Sequence, residues 1–124
     1  MTLEALRGLF IEERARFAAV LPRAANATLT IKPRPPGAEL RDYGYVVGDY
    51  RVVLFQETQQ LPVANVVGII RHELGHVCDP YDDDESEERA DDIAHVVTGE
   101  PIRYDRRGVQ TVGRGGKRPK WLLC

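Results

Sequence analysis

A chain of 124 residues has room for one domain with one modest core. With 43% hydrophobic and 29% charged residues its composition is that of an ordinary soluble globular protein, and no apolar run approaches the roughly 20 residues of a membrane span. The net charge of −2 conceals an asymmetry: Asp79 to Asp92 holds nine acidic residues against one Arg, whereas Arg103 to Lys120 holds seven basic residues against Asp105. Two cysteines, Cys78 and Cys124, make no disulfide framework and suit a reducing compartment. Glu4, Glu12 and Glu13 are out of place in a signal or transit peptide, so the cytoplasm is the expected location and no membrane partner is expected.

Thr2 to Leu21 reads as an amphipathic helix, capped by Thr2 and closed by Pro22. Leu3, Leu6, Phe10, Phe17 and Leu21 mark its inward side, with Glu12, Glu13, Arg14 and Arg16 mostly solvated. Ala27 to Lys32 favours β-branched residues and predicts a strand, after which Pro33, Pro35, Pro36 and Gly37 force a loop. Tyr43 to Val47 and Tyr50 to Gln56 flank Gly48-Asp49, a pair suited to a two-residue type II′ hairpin. The second arm, Arg51-Val52-Val53-Leu54-Phe55, is apolar enough to be covered on both faces.

From Pro62 to Cys78 the spacing predicts a helix. Pro62 suits a first turn, and Val63, Val66, Val67, Ile70, Leu74 and Val77 recur at intervals of three and four to give a buried stripe. Asp79-Pro80 ends it, because the residue before a proline is pushed out of the α region. Gly75 costs helix propensity and predicts a close approach by another segment. Asp82 to Glu85 is a solvated acidic loop, and Ser86 is placed to cap a second helix with Ala90, Ile93, Ala94 and Val97 inward and Gly99-Glu100-Pro101 as its stop. Beyond Ile102 the pattern fails, so an extended basic tail is expected, closed by the apolar Trp121-Leu122-Leu123. Residues 1–100 thus read as the domain and 101–124 as a basic, glycine-rich tail.

The chemistry concentrates in Arg71-His72-Glu73-Leu74-Gly75-His76. Two histidines four apart on a helix share one face and lie about 6 Å apart, close enough to share a metal ion. Glu73 projects toward the same mouth, where it can take a proton from a metal-activated water without being a ligand. A catalytic zinc needs a third protein ligand and one open position. Asp82, Glu87, Glu88 and His95 compete for that role. At roughly 100° per residue Glu87 lies beside the apolar stripe of the second helix, while Glu88 and His95 lie on its solvent side. Asp91, one turn beyond Glu87, can hydrogen-bond the far nitrogen of a ligand histidine and fix its tautomer. Asp82, six residues after His76, stays open as the alternative.

His72-Glu73-Leu74-Gly75-His76 followed by Glu87-Glu88-Arg89-Ala90-Asp91 with Ile93-Ala94 resembles the gluzincin metallopeptidases. It is most similar to their small ImmA/IrrE-like and minimal-gluzincin forms, whose second motif resembles E-x-x-A-[ND]-x-[FI]-A. The resemblance runs from about Tyr50 to Val97 and is specific only at the two motifs. It implies zinc on His72, His76 and Glu87, with Glu73 as general base and Asp91 supporting a ligand. It also implies an α+β, zincin-like fold: an N-terminal helix, a small twisted sheet of about three strands, the active-site helix, a glutamate helix and then the tail.

The expected function is zinc-dependent hydrolysis of peptide bonds in a peptide or protein substrate, with the strand near Arg51 to Gln56 as the bed for an extended chain paired edge to edge. Tyr81, His95 and Tyr104 are the candidates for an oxyanion donor. Two alternatives come from other classes: a non-catalytic zinc-stabilised binding protein, opposed by the intact Glu73, and nucleic-acid contact through Arg103–Lys120, which lacks interleaved aromatics before Trp121. A further expectation is that the tail folds back and sets Cys124, a competent zinc ligand, over the cleft.

Overall fold

The structure, a computed structural model, describes residues 1–113; Trp121-Leu122-Leu123, Cys124 and the fold-back expected of them lie outside the described residues. Three helices and a small mixed sheet make an α+β fold: α1 (Leu3–Ala18), β1 (Thr28–Lys32), β2 (Gly44–Val47), β3 (Arg51–Phe55), α2 (Val63–Cys78) and α3 (Ser86–Thr98), then β4 (Ile102–Tyr104) and β5 (Gln110–Val112). None of the helices among the described residues is long and apolar enough to cross a membrane.

The Thr2 hydroxyl caps α1 by accepting from the Ala5 amide at 3.0 Å. The helix stops at Ala18, short of Leu21, because the Phe17 carbonyl takes both the Val20 and Leu21 amides and tightens the chain before Pro22 opens a 3-10 turn. Leu6, Phe10 and Phe17 enter the core as the spacing predicts. Glu13 does not stay in solvent. It is buried and faces Arg71 at 2.6 Å, which ties α1 to the residue before His72.

Sheet order is β1-β3-β2, with β1 parallel and β2 antiparallel to β3. Val52 to Phe55 are all buried, so the run predicted to be covered on both faces is the central strand. It therefore offers no edge, and the expectation that a peptide pairs along Arg51 to Gln56 is corrected: among the described residues the edges are β1 and β2. The hairpin between β2 and β3 also differs. Val47 pairs with Arg51, leaving a loop of three residues, Gly48 to Tyr50, because the Tyr50 carbonyl is engaged by the Thr28 amide of β1 at 3.0 Å.

In α2, Pro62 lies just ahead of the helix, where its carbonyl accepts from Asn65 and Val66. Val66, Ile70, Leu74 and Val77 form the inward stripe, but Val63 is exposed at the helix mouth. Asp79 turns to extended backbone before Pro80 and ends the helix. Gly75 does what its spacing predicts: a Cβ there would lie 2.3 Å from the Ala90 carbonyl oxygen, so its absence lets α3 cross α2 backbone to side. Ser86 is not a cap. It is the first residue of α3, and its hydroxyl donates back to the Asp83 carbonyl at 2.9 Å. Gly99, at φ 77°, closes α3 in the left-handed conformation.

The extended tail expected beyond residue 100 is replaced, up to Val112, by an antiparallel hairpin of β4 and β5 lying against α2. Asp105 Oδ1 accepts from the Arg107 and Val109 amides to make the turn, and Gly108 takes φ 79°. Tyr104, Val109 and Thr111 are buried. Asn65 clamps the hairpin by donating to Asp105 Oδ2 at 3.1 Å and to the Gln110 carbonyl at 3.2 Å. Gly68 admits its backbone, since a Cβ there would come within 2.7 Å of Thr111 Cα and N.

Candidate metal centre

The middle of α2 carries the site. Helical spacing puts His72 and His76 on one face, with ring centroids 4.7 Å apart and Nε2 atoms 3.1 Å apart. The Gly75–Ala90 crossing sets the first turns of α3 against that face. Glu87 consequently reaches both rings: Oε2 is 2.9 Å from His72 Nε2 and Oε1 is 3.1 Å from His76 Nε2. One turn on, Asp91 Oδ1 lies 2.6 Å from His72 Nδ1. Glu73 points to the same place, with Oε1 3.7 Å from His72 Nε2.

The other candidates stay away. Glu88 and His95 are on the solvent side of α3, as their helical positions predict. Asp82 borders the cleft but is exposed, with no hydrogen bond or ion pair to either histidine among the described residues. Arg89 holds the connecting loop instead, through Asp79 at 2.7 Å and Asp83 at 2.8 Å. Of the three oxyanion candidates, Tyr104 is 1% exposed and its hydroxyl donates to Asp91 Oδ2 at 2.7 Å, so it is committed elsewhere. Tyr81, 65% exposed, borders the cleft under the Arg89 guanidinium.

The donor chemistry suits a cation. The Asp91 carboxylate accepts from His72 Nδ1, which leaves Nε2 of that ring, whenever the ring is neutral, with a lone pair to offer. Two ring nitrogens and a carboxylate facing one another are mutually repulsive unless a proton or a cation lies among them. His72, Glu73 and His76 offer ligand atoms within 4.8 Å of one another and could hold a metal ion. The Glu87 oxygens stand closer still, one to each ring, and add a third side chain from α3. Each Glu87 oxygen lies within 3.1 Å of one ring nitrogen, and the two nitrogens are 3.1 Å apart, so the three side chains converge closely enough to share one cation.

Charge follows the same logic. Burial alone would lower His72, but hydrogen bonds to Asp91 and Glu87 outweigh it and raise its pKa well above the ordinary imidazole value. Burial would raise Glu87, yet the two histidines hold it far below the usual carboxylate range. Glu73 is raised by burial, against the opposing pull of His72 and His76, and its Oε2 is buried with no hydrogen-bond partner among the described residues. An orphaned carboxylate oxygen beside converging ligand atoms calls for a proton or a water-borne donor.

The cluster lies in an open cleft of about 660 Å³ whose opposite wall is β2, with Asp42 and Tyr43 ahead of it. Neither the β2 edge nor Tyr104 is singled out by sequence reasoning for the role it has here. The only signal for Tyr104 is its alternation with Ile102 ahead of an Asp-x-x-Gly turn. No protein-family model, curated protein or solved structure matches the chain significantly.

Proposed function

We propose that the protein is a zinc-dependent metallopeptidase of the gluzincin kind, with a zincin-like fold, acting on peptide or protein substrates. The observation that carries this reading is the convergence of His72 Nε2, His76 Nε2 and the Glu87 carboxylate from two helices, with the buried Glu73 carboxylate beside them. His72, His76 and Glu87 are the ligands, and Asp91 holds His72 by its far nitrogen. When bound there, zinc supplies Lewis acidity that polarises a carbonyl and makes water acidic near neutral pH. Glu73 is the general base: its carboxylate accepts a proton from the attacking water as the C–O bond forms. It then delivers that proton to the amide nitrogen as the C–N bond breaks, so one water is added and the carboxylate is regenerated. Its place beside the two ring nitrogens, with Oε1 3.7 Å from His72 Nε2, suits the role. The substrate lies extended along the edge of β2, the strand that walls the cleft.

The test is metal analysis beside cleavage of a peptide library. About one zinc per chain is expected. His72→Ala or His76→Ala abolishes binding, and Glu87→Ala weakens it by orders of magnitude while Asp82→Ala barely matters. Glu73→Gln keeps metal and fold but loses hydrolysis. Full zinc retention by either histidine variant would refute the site, and undiminished cleavage by Glu73→Gln would refute the mechanism.

A further inference from the structure

A chain of hydrogen bonds leaves the metal cluster and ends in the hairpin that follows α3. His72 Nδ1 meets Asp91 Oδ1 at 2.6 Å, and the Tyr104 hydroxyl donates to Asp91 Oδ2 at 2.7 Å. His72 belongs to α2, Asp91 to α3 and Tyr104 to β4, so one carboxylate joins three elements. Each of its oxygens receives a short, charge-assisted bond, the strong class of protein hydrogen bond. Tyr104, at 1% exposed, has no solvent-facing role to explain its hydroxyl.

We propose that Tyr104 is a positioning residue of the metal centre: acting through Asp91, its hydroxyl fixes the orientation and tautomer of His72 and so raises cation affinity. The proposal rests on the reading of His72 as a ligand. The terminal torsion of an aspartate is broad, and a single bond to a histidine does not fix the plane of its carboxylate. A second bond at the other oxygen does. With that plane fixed, the proton stays on Nδ1 and the Nε2 lone pair is directed at the point where His76 and Glu87 also converge. The donor is itself held rigidly. Asn65 grips the turn at Asp105 and the second arm at Gln110, and Gly68 seats the Thr111 backbone directly on α2. The same helix that carries the histidines therefore sets where the tyrosine stands, and the loop closes through Asp91.

Zinc and cobalt affinities, measured by competition with a chromophoric chelator, test this in four proteins: wild type, Tyr104→Phe, Asp91→Asn and the double variant. Tyr104→Phe is expected to weaken binding about 10-fold and Asp91→Asn by about 10–100-fold, the range for partners of a ligand histidine. A hydroxyl that acts on the metal centre through Asp91 gives a double variant that binds like Asp91→Asn alone. A tyrosine that merely supports the hairpin gives losses that multiply instead. A second measurement is independent of any loss of fold. With 3-fluorotyrosine at position 104 the donor strength changes while shape is kept, and the His72 Nδ1–H proton resonance of the zinc-loaded protein shifts. Unchanged affinity in Tyr104→Phe, multiplying losses, or an unmoved resonance overturns the proposal and leaves the ligand set standing. A wild-type chain that takes up neither metal overturns both.

Discussion

His72 presents opposite demands at the two nitrogens of one ring. Without a cation, Asp91 and Glu87 both favour a charged imidazole, and against the lowering effect of burial they raise its pKa well above the ordinary value. The stability this gives is fully present below the unfolded value near 6.5 and is lost as pH rises through the higher folded one. Glu87 works in the other direction: with its pKa held down by the two histidines, its contribution is present above about 4.5 and is lost on acidification. The metal-free cluster is therefore most cohesive between those limits, as an ion pair. A cation reverses the preference, since it needs the neutral ring, and must displace a proton from His72. At pH 7 metal uptake should release about one proton per site, and affinity should climb with pH through the neutral range. Calorimetry in two buffers of different ionisation enthalpy counts that proton directly. Uptake without proton release would mean that the ring is already neutral in the free protein.

At the level of elements, the site depends on how closely α3 crosses α2, and Gly75 controls that distance. Gly75→Ala would set a methyl 2.3 Å from the Ala90 carbonyl oxygen, a clash with backbone that only separation of the helices relieves. A cost of about 1–3 kcal/mol is expected, typical of overpacking, together with weaker metal binding as Glu87 and Asp91 draw back. Gly8 in α1 supplies the contrast. Nothing among the described residues lies within 4 Å of a Cβ there, so Gly8→Ala should stabilise by about 0.5–1 kcal/mol without touching the site. Thermal unfolding and zinc titration of the two variants read both effects. This crossing was legible in the sequence, because the apolar spacing of both helices and a glycine beside the histidines record it locally. Strand order was not. The run Val52 to Phe55 announces burial on both faces, but whether a buried strand is central or an edge depends on partners chosen over long range, here β1 in parallel. Glu13 misled for a similar reason: a carboxylate on a helix reads as solvated until its partner Arg71, 58 residues away, is known.

For the molecule as a whole, residues 101–113 matter most, because the sequence reads them as the start of a tail and the structure packs them on α2, with Val109 in the core. Their strands are three residues each, too short to show a period, and glycine and arginine at their turn mask the alternation of Ile102, Tyr104, Val109 and Thr111. The hairpin covers the Asn65–Gly68 face of α2 while α3 covers another, so the histidine helix is enclosed from several sides. Ending the chain after Glu100 would expose that face, strip Asp91 of the Tyr104 hydroxyl and remove the buried Val109 from the core cluster. Two losses should follow together. Stability falls by several kcal/mol, since burying one aliphatic side chain alone is worth about 1.5–3 kcal/mol and the hairpin also forfeits Tyr104 and its clamp. Metal affinity falls further than stability alone accounts for, because the support of His72 goes with it. A chain ended at Gly113, which keeps every contact described, is the reference. Denaturant unfolding and chelator competition on the two truncations give the comparison, and a 1–100 chain that stays folded with full metal affinity would show that the hairpin is dispensable to the site.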